Sequence, residues 1–580
     1  MKYTTLPQQQ PKYSAVKHEN FRDLVDYGAN TYGEKPVFIV KHRTNKTDFA
    51  YENISYKDFS IRVRELGAGM LARGWQEMRI AIFSANRYEW MLTYLTTLSG
   101  VGISVPLDKA LPYDEFESSV IRSESDILVY GQAQAEFIEK LKSCGRSPVK
   151  YYVCMDDIDG EITINGLREE GRQALLTGGR SLDEIEINPF EMAILLFTSG
   201  TTSMAKAVML SEDNILSDVY MMRLVEDIRT SDTNMAFLPY HHTFGCTGQL
   251  LMQSAGVTTS FCDGLKYLQK NIIEYKVSVF MAVPVLVESM YKRIMIAVKK
   301  QGKENTIKAA MKLSNVLLKI GIDVRRKFFK QILDQLGGEL RLIINGASAA
   351  DPDVLECWNS IGIETLNGYG LTETSPCLAS ESHYYRRKGS IGLSMPGIEL
   401  AIDNPNEDGI GELIGRGPNV MLGYYENQAE TDEIIVDGWI HTGDLAKVDK
   451  DGYIYICGRK KNVIVLRNGK NVYPEEIEAI ITENLSYATE NIIVGLPRHE
   501  GDKNDLVLTA KIVYDPELAS EAFGTGDAEE IDRHIRADIE KLNEQLPAYK
   551  QIIRVFTTDQ PMIKTTTGKV KRFEEIKTMK

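Results

Sequence analysis

From about residue 76 the chain alternates between short apolar runs and stretches whose apolar positions recur three and four residues apart. Residues 79–84 read as a strand, 88–98 as an amphipathic helix, 102–106 as a strand, 113–121 as a helix and 127–130 as a strand. A helix over 136–141 and a strand over 149–154 continue the series. Such alternation predicts parallel sheets covered by helices on both faces. The buried run 192–197 ends in a small, polar turn, Thr198-Ser199-Gly200-Thr201-Thr202-Ser203, at the carboxyl end of a strand, where open α/β sheets place ligands.

After about residue 408 Gly, Asp and Asn become frequent, and short β-like pieces follow at 411–415, 445–448 and 453–457. Beyond Arg459 the pattern restarts, with strands over 491–494 and 506–513. A helix then carries Ile531, Ile535, Ile539, Leu542 and Leu546 on one face, and Pro547 is expected to end it. The organisation predicted is one large α/β body and one compact α+β unit, joined near residue 460.

The length of 580 residues, with 43% hydrophobic and 26% charged, provides for large cores and excludes a mostly disordered or collagen-like chain. The formal charge of −14 argues against a nucleic-acid partner. Seven Cys, none at CxxC spacing, read as reduced thiols of a cytoplasmic protein rather than as a zinc or redox motif. The N-terminus lacks the apolar core of a signal peptide, and the apolar run 279–287 is far shorter than the roughly 20 residues that span a bilayer. Peripheral membrane contact stays open.

The first motif with chemistry is Thr198 to Lys206. Backbone N–H groups of a small-residue turn can converge on phosphate oxygens, with hydroxyls as further donors and Lys206 as a cation. It is not a Walker loop, because Lys206 stands between Ala205 and Ala207. The stretch resembles the phosphate loop of the adenylate-forming superfamily, which includes acyl-CoA synthetases, peptide-synthetase adenylation domains and luciferases. Further segments resemble that family in order: Asn367-Gly368-Tyr369-Gly370-Leu371-Thr372-Glu373-Thr374, then His441-Thr442-Gly443-Asp444, Gly458-Arg459-Lys460-Lys461, the Gly469 turn before Tyr473-Pro474-Glu475, and the Lys-rich tail 561–572.

The resemblance implies a large body over 1–459, of parallel and mixed sheets between helices with a small distorted β-barrel part, and a mobile α+β lid over 460–580. It implies ATP, Mg²⁺ and coenzyme A as cofactor and co-substrates. Thr198, Ser199, Gly200, Thr201, Thr202 and Lys206 would cradle phosphate, with Thr372 touching it. Glu373 would hold Mg²⁺, a hard cation that prefers oxygen. Tyr369, flanked by Gly368 and Gly370, would stack on adenine, with Gly346 and Ala347 lining the adenine and acyl pocket. Asp444 would accept both ribose hydroxyls and Arg459 would reach the same ribose. Lys461 marks the hinge, Gly469 walls a pantetheine tunnel, and Lys569 bridges the substrate carboxylate and the α-phosphate, cancelling the repulsion of two anions.

His242, in Tyr240-His241-His242-Thr243, aligns with a position facing the acyl carboxylate. Paired histidines also suit a metal, but no Cys or carboxylate lies at ligand spacing. The region 283–338, with its long Lys-rich helical part, resembles the long-chain fatty acyl-CoA synthetases more than short-chain or amino-acid-activating members. Ser203, Ala205 and Ala207 depart from the family's Gly, Pro and Gly. Three readings follow: a fatty acyl-CoA ligase acting on small-molecule substrates, an acyl-AMP ligase loading a carrier protein, and a nucleotide- or lipid-binding homologue with weakened catalysis. In each, positive charge concentrates at Lys206, Arg459, Lys461 and Lys569 against the acidic bulk.

Overall fold

A computed structural model describes all residues except 1–2, 46–47, 199–204, 468, 500–504, 565–569 and 580. Two large mixed sheets dominate the first part of the chain. The alternating pattern forms an eight-stranded sheet in which Met78–Phe83, Gly102–Leu107, Ile127–Tyr130 and Met192–Thr198 run parallel with Tyr151–Cys154 and Ile162–Thr163. Two antiparallel strands, Lys206–Ser211 and Gly423–Tyr424, extend it. The expected elements are present here, with ends shifted by a residue or two; the helix beginning at Tyr88 stops at Thr96 because Gly100 breaks the next turn at φ 120°.

The second sheet has nine strands. Its parallel centre is Glu364–Gly370, Leu342–Asn345, Val279–Ala282, Thr233–Ala236 and Thr258–Phe261, with Pro36–Arg43 beside them. The N-terminal hairpin of Pro36–Arg43 and Phe49–Ser55 thus joins a sheet whose other members lie some two hundred residues on, a pairing that local patterning does not announce. A continuous apolar core, including Phe38, Trp90, Tyr94, Leu196 and Tyr240, ties the two sheets together.

The small β part is a five-stranded antiparallel sheet in which Trp439–Val448 pairs with Gly411–Arg416, Ile435–Val436 and Ile454–Arg459. The Lys-rich stretch divides into Pro284–Lys300, Glu304–Lys319, Arg325–Phe328 and Lys330–Asp334, interrupted at Gly302 and Gly321, where φ is 67° and 82°. From Ile464 onward the chain builds its own core, with Ile477, Ile481, Ile493, Leu508, Ile535 and Ile539 packed around a three-stranded sheet of Ala488–Pro497, Leu506–Tyr514 and Ile552–Thr558. The Ile531–Leu542 stripe faces that core, but its helix ends at Asn543 rather than at Pro547, so Leu546 packs from a turn.

Candidate active site

The site is built at the carboxyl ends of parallel strands. In the nine-stranded sheet Asn345 and Asn367 are register partners, so Gly346-Ala347 and Gly368-Tyr369 leave neighbouring strands side by side. A Cβ on Gly346 would come within 3.3 Å of the Phe244 ring and 3.4 Å of the Gly368 carbonyl, and Ala347 takes a left-handed φ of 75°. Gly370 has a packing reason: a Cβ there would stand 1.6 Å from the Pro376 carbonyl oxygen. The close approach at Gly370 is to the chain itself, whereas a Cβ on Gly368 would meet nothing nearer than 3.7 Å.

Tyr369 donates its hydroxyl to Asp444 Oδ2 at 2.6 Å, and Arg459 Nε lies 2.8 Å from Asp444 Oδ1. Asp444 and Arg459 are register partners in the antiparallel pairing of Trp439–Val448 with Ile454–Arg459, and Thr442 O accepts from Arg459 at 3.4 Å. Burial, with the Asp444 carboxylate beside it, holds the Tyr369 hydroxyl protonated well above its ordinary range. The sequence reading gave Tyr369 the role of a stacking ring alone; its hydroxyl also fixes the orientation of the carboxylate.

Three residues beyond Tyr369, Thr372–Thr374 forms a 3₁₀ turn carrying Glu373. Tyr424, absent from the sequence reading, donates to Glu373 Oε1 at 2.8 Å and presents its ring to Lys206 Nζ, 4.8 Å from the centroid. Lys206 also pairs with Glu430 at 3.3 Å. Tyr424 reaches this place because the two-residue strand Gly423–Tyr424 pairs with Lys206–Ser211. Burial and Glu373 both push its hydroxyl up, so it stays a donor at neutral pH.

The Glu373 turn is held from behind. Asn419 Nδ2 donates to Thr374 O and Cys377 O, each at 2.7 Å, and Thr247 Oγ1 donates to Ser375 O at 2.9 Å. Asp218 Oδ1 accepts from Cys377 N at 3.2 Å, and complete burial pushes its carboxyl well above the usual range. Asn419 and Thr247 carry no local motif; only the fold brings them here.

Thr198 closes its strand, its hydroxyl 3.4 Å from Lys206 O. Ser199, Gly200, Thr201 and Thr202, like Lys569, lie outside the described residues. Ala205 and Ala207 have no left-handed φ; Ala207 is buried in register with Phe197, and Ala205 O accepts from Arg122 at 2.8 Å. These two departures from the family pattern therefore carry no backbone strain.

His242 precedes the helix Thr243–Ser254 and lines a small apolar cavity with Tyr94, Pro106, Leu196, Tyr240 and Cys246. No carboxylate lies at ligand spacing from the paired histidines along the chain, but the fold brings one: Asp108, just past the end of Gly102–Leu107, has Oδ2 3.4 Å from His241 Nε2. One ligand atom each from Asp108, His241 and His242 lie within 4.8 Å of one another. A strand end and a residue 133 positions later meet here through topology, which sequence spacing does not record.

Lys461 lies in the 3₁₀ turn Lys460–Asn462. Lys460 pairs with Glu412 at 2.8 Å on one side of this turn, and Asn462 donates to Glu475 at 2.7 Å on the other. Gly458, at φ 149°, passes so close to Glu475 that a Cβ would be 2.5 Å from Oε2. Gly469 has φ 77° and nothing within 4 Å of a built Cβ, which gives it a backbone reason to be glycine.

The AMP-binding enzyme model matches residues 25–425 and the AMP-binding enzyme C-terminal domain model matches 461–579. The chain is 28% identical to the peroxisomal long chain acyl-CoA synthetase 6 of Arabidopsis thaliana over 552 residues, covering 89% of this chain and 76% of that protein. It is 28% identical to the long-chain-fatty-acid–CoA ligase 6 of Rattus norvegicus over 517 residues, covering 82% and 71%. The crystal structure of the anthranilate CoA ligase AuaEII with anthranoyl-AMP shares the fold, with a TM-score of 0.74 at 19% identity over 97% of this chain and 98% of that one. With motifs in family order and a family model spanning most of its length, the chain belongs to the AMP-binding enzymes, the adenylate-forming superfamily that its motifs resemble.

Proposed function

We propose that this chain is an ATP-dependent acyl-CoA ligase that converts a carboxylic acid to acyl-AMP with release of pyrophosphate, then to acyl-CoA with release of AMP. The observation that carries the reading is the placing of two contact sets by one segment: Tyr369 on Asp444 and, four residues on, Glu373 on Tyr424, whose ring meets Lys206. It sets a diol acceptor at one end and a carboxylate beside a cation at the other, the order in which a nucleotide presents ribose and then phosphates.

In this reading Asp444 and Arg459 take the ribose, Tyr369 covers the base, and Gly346 and Ala347 border it. Glu373 offers the oxygen ligand that suits Mg²⁺, which would spread the charge of the triphosphate, and the Thr372 hydroxyl would touch phosphate. Lys206 and residues 198–202 take the phosphates, and Glu430 releases Lys206 to them. His242 and the cavity of Tyr94, Tyr240 and Cys246 receive the acyl end. Residues 460–580 act as a lid that turns about Lys461, first delivering Lys569 to the carboxylate and α-phosphate, then the Gly469 face to coenzyme A. The names of the relatives, long-chain fatty acid ligases, support a long-chain acid as substrate.

The test is pyrophosphate release screened over straight-chain acids from acetate to oleate, with and without coenzyme A. Release that rises with chain length, and AMP release that needs coenzyme A, is the expected pattern. Release indifferent to every acid would dismiss the reading, and transfer to a phosphopantetheinyl protein but not to free coenzyme A would replace the acceptor.

A further inference from the structure

Residues 292–330 hold twelve Lys or Arg against two Asp or Glu, in a chain whose formal net charge is −14. The same stretch concentrates exposed apolar side chains. Among the described residues, seven of the 24 large hydrophobics most open to solvent stand between Ile296 and Phe328. Monomeric proteins rarely leave contiguous apolar surface uncovered, and a strongly basic rim around one narrows what covers it.

The helix Glu304–Lys319 shows how the two properties are arranged. Its inner face, through Ile307, Ala310 and Met311, packs on the core cluster of Trp358, and Ser314 is its buried residue. Ser314 Oγ and Asn315 Nδ2 anchor it to Ser360, at 3.3 Å to the carbonyl oxygen and 2.9 Å to the hydroxyl. At about 100° per residue, Leu313, Val316 and Ile320 form a second apolar stripe turned away from Ile307, Met311 and Ser314. Val316 and Ile320 are 59% and 67% exposed. Lys308, Lys312 and Lys319 fall in one column beside that stripe. Lys312 and Lys319, with Lys299, Lys300 and Lys303 at the preceding turn, form no ion pair among the described residues.

An apolar stripe alone would suit any partner. Flanked by unpaired lysines on long apolar stems, it suits a surface that is negatively charged outside and hydrocarbon beneath, because the stems lie along the apolar layer while the ammonium groups reach phosphates. We propose that the face formed by Glu304–Lys319 and the adjoining end of Pro284–Lys300 docks on an anionic lipid bilayer. The helix lies in the plane of the headgroups and does not cross: no helix of the described residues is long and apolar enough to span a membrane. The proposal stands independently of the ligase reading, since it uses none of the residues assigned to the nucleotide or acid.

The test is flotation of the full chain with vesicles of phosphatidylcholine alone and of phosphatidylcholine mixed with phosphatidylglycerol. Partition onto the mixed vesicles, weakening as salt is raised, is expected, with little onto the neutral ones. Lys312→Ala and Lys319→Ala should each lower the partition coefficient about fivefold. L313D with V316D should lower it at least roughly tenfold by removing buried apolar surface. Leu176→Asp, at a side chain 76% exposed on a separate helix, should leave it unchanged, and the melting temperature of each variant reports that the fold is intact. Equal partition onto neutral vesicles, or none onto either, overturns the proposal. So does a sedimentation measurement in which L313D with V316D dissolves a concentration-dependent dimer while vesicle partition stays as in the wild type, since the face would then meet a second copy.

Discussion

Asp444 and Arg459 are fifteen positions apart in the chain, and the Arg459 Nε lies 2.8 Å from the Asp444 carboxylate because antiparallel register places them opposite each other. With Tyr369 on the other oxygen, the carboxylate arrives already oriented. Asp444→Ala is expected to raise the KM for ATP about ten- to hundredfold, the loss of hydrogen bonds to a charged acceptor. Tyr369→Phe keeps the ring and the Arg459 contact and should raise it by less than about tenfold. Steady-state kinetics at varied ATP separate the two; equal losses would mean that Tyr369 does more than orient Asp444.

Asn419 tests the support of the Glu373 turn. It touches the carbonyls of Thr374 and Cys377, so Asn419→Ala leaves two buried acceptors without their donor. A loss of about 1–3 kcal/mol in unfolding free energy is expected, together with a higher Mg²⁺ concentration for half-maximal pyrophosphate release. A stability loss with the Mg²⁺ dependence unmoved would place Asn419 in the fold alone.

In the proposed reaction Lys569 and Lys461 serve different half-reactions. Lys569→Ala should cut pyrophosphate release by orders of magnitude while sparing thioester formation from supplied acyl-AMP. Lys461→Pro should hinder thioester formation more than adenylation. Rapid-quench measurement of each half-reaction checks both, and equal loss in both halves for Lys569→Ala would remove its assigned role.

Two buried glutamates set a pH dependence of stability. Burial pushes the carboxyls of Glu212 and Glu226 each up to about 8. Both raised groups hold their proton in the folded state when the unfolded chain has lost it, so their stabilisation is complete below about 4.5 and is lost as pH rises through 8. Each contributes a fall of about 1.4 kcal/mol per pH unit within that window. Denaturant unfolding from pH 5 to 9 should show this decline, and Glu226→Gln should make it shallower; an unchanged slope in E226Q would contradict it.

Much of the fold was legible because patterning and turn chemistry agree locally. The strands Gly102–Leu107 and Ile127–Tyr130, the Gly-rich segment at Tyr369 and the Ile531–Leu542 face needed only near neighbours to be recognised. Legibility failed where topology acts. Pro36–Arg43 enters a sheet with Thr258–Phe261, Asp108 meets His241, and Tyr424 reaches Glu373 through a two-residue strand. Those contacts depend on which strand lies beside which, and side-chain spacing along one chain carries no record of it. Gly370 and Gly458 show the converse limit. Both stand in motif segments, yet each has an immediate cause in the chain itself, the Pro376 carbonyl and the Glu475 carboxylate.

In the proposed reaction the acid's own oxygen becomes bonded to the α-phosphorus at the site between Asp444 and Lys206. Turnover of an acid carrying ¹⁸O in both carboxyl oxygens, with ATP, Mg²⁺ and coenzyme A, measures this by mass spectrometry of the nucleotide product. One ¹⁸O in each AMP formed, with none in pyrophosphate, is the predicted result. Unlabelled AMP, or label found in inorganic phosphate beside ADP, would contradict it.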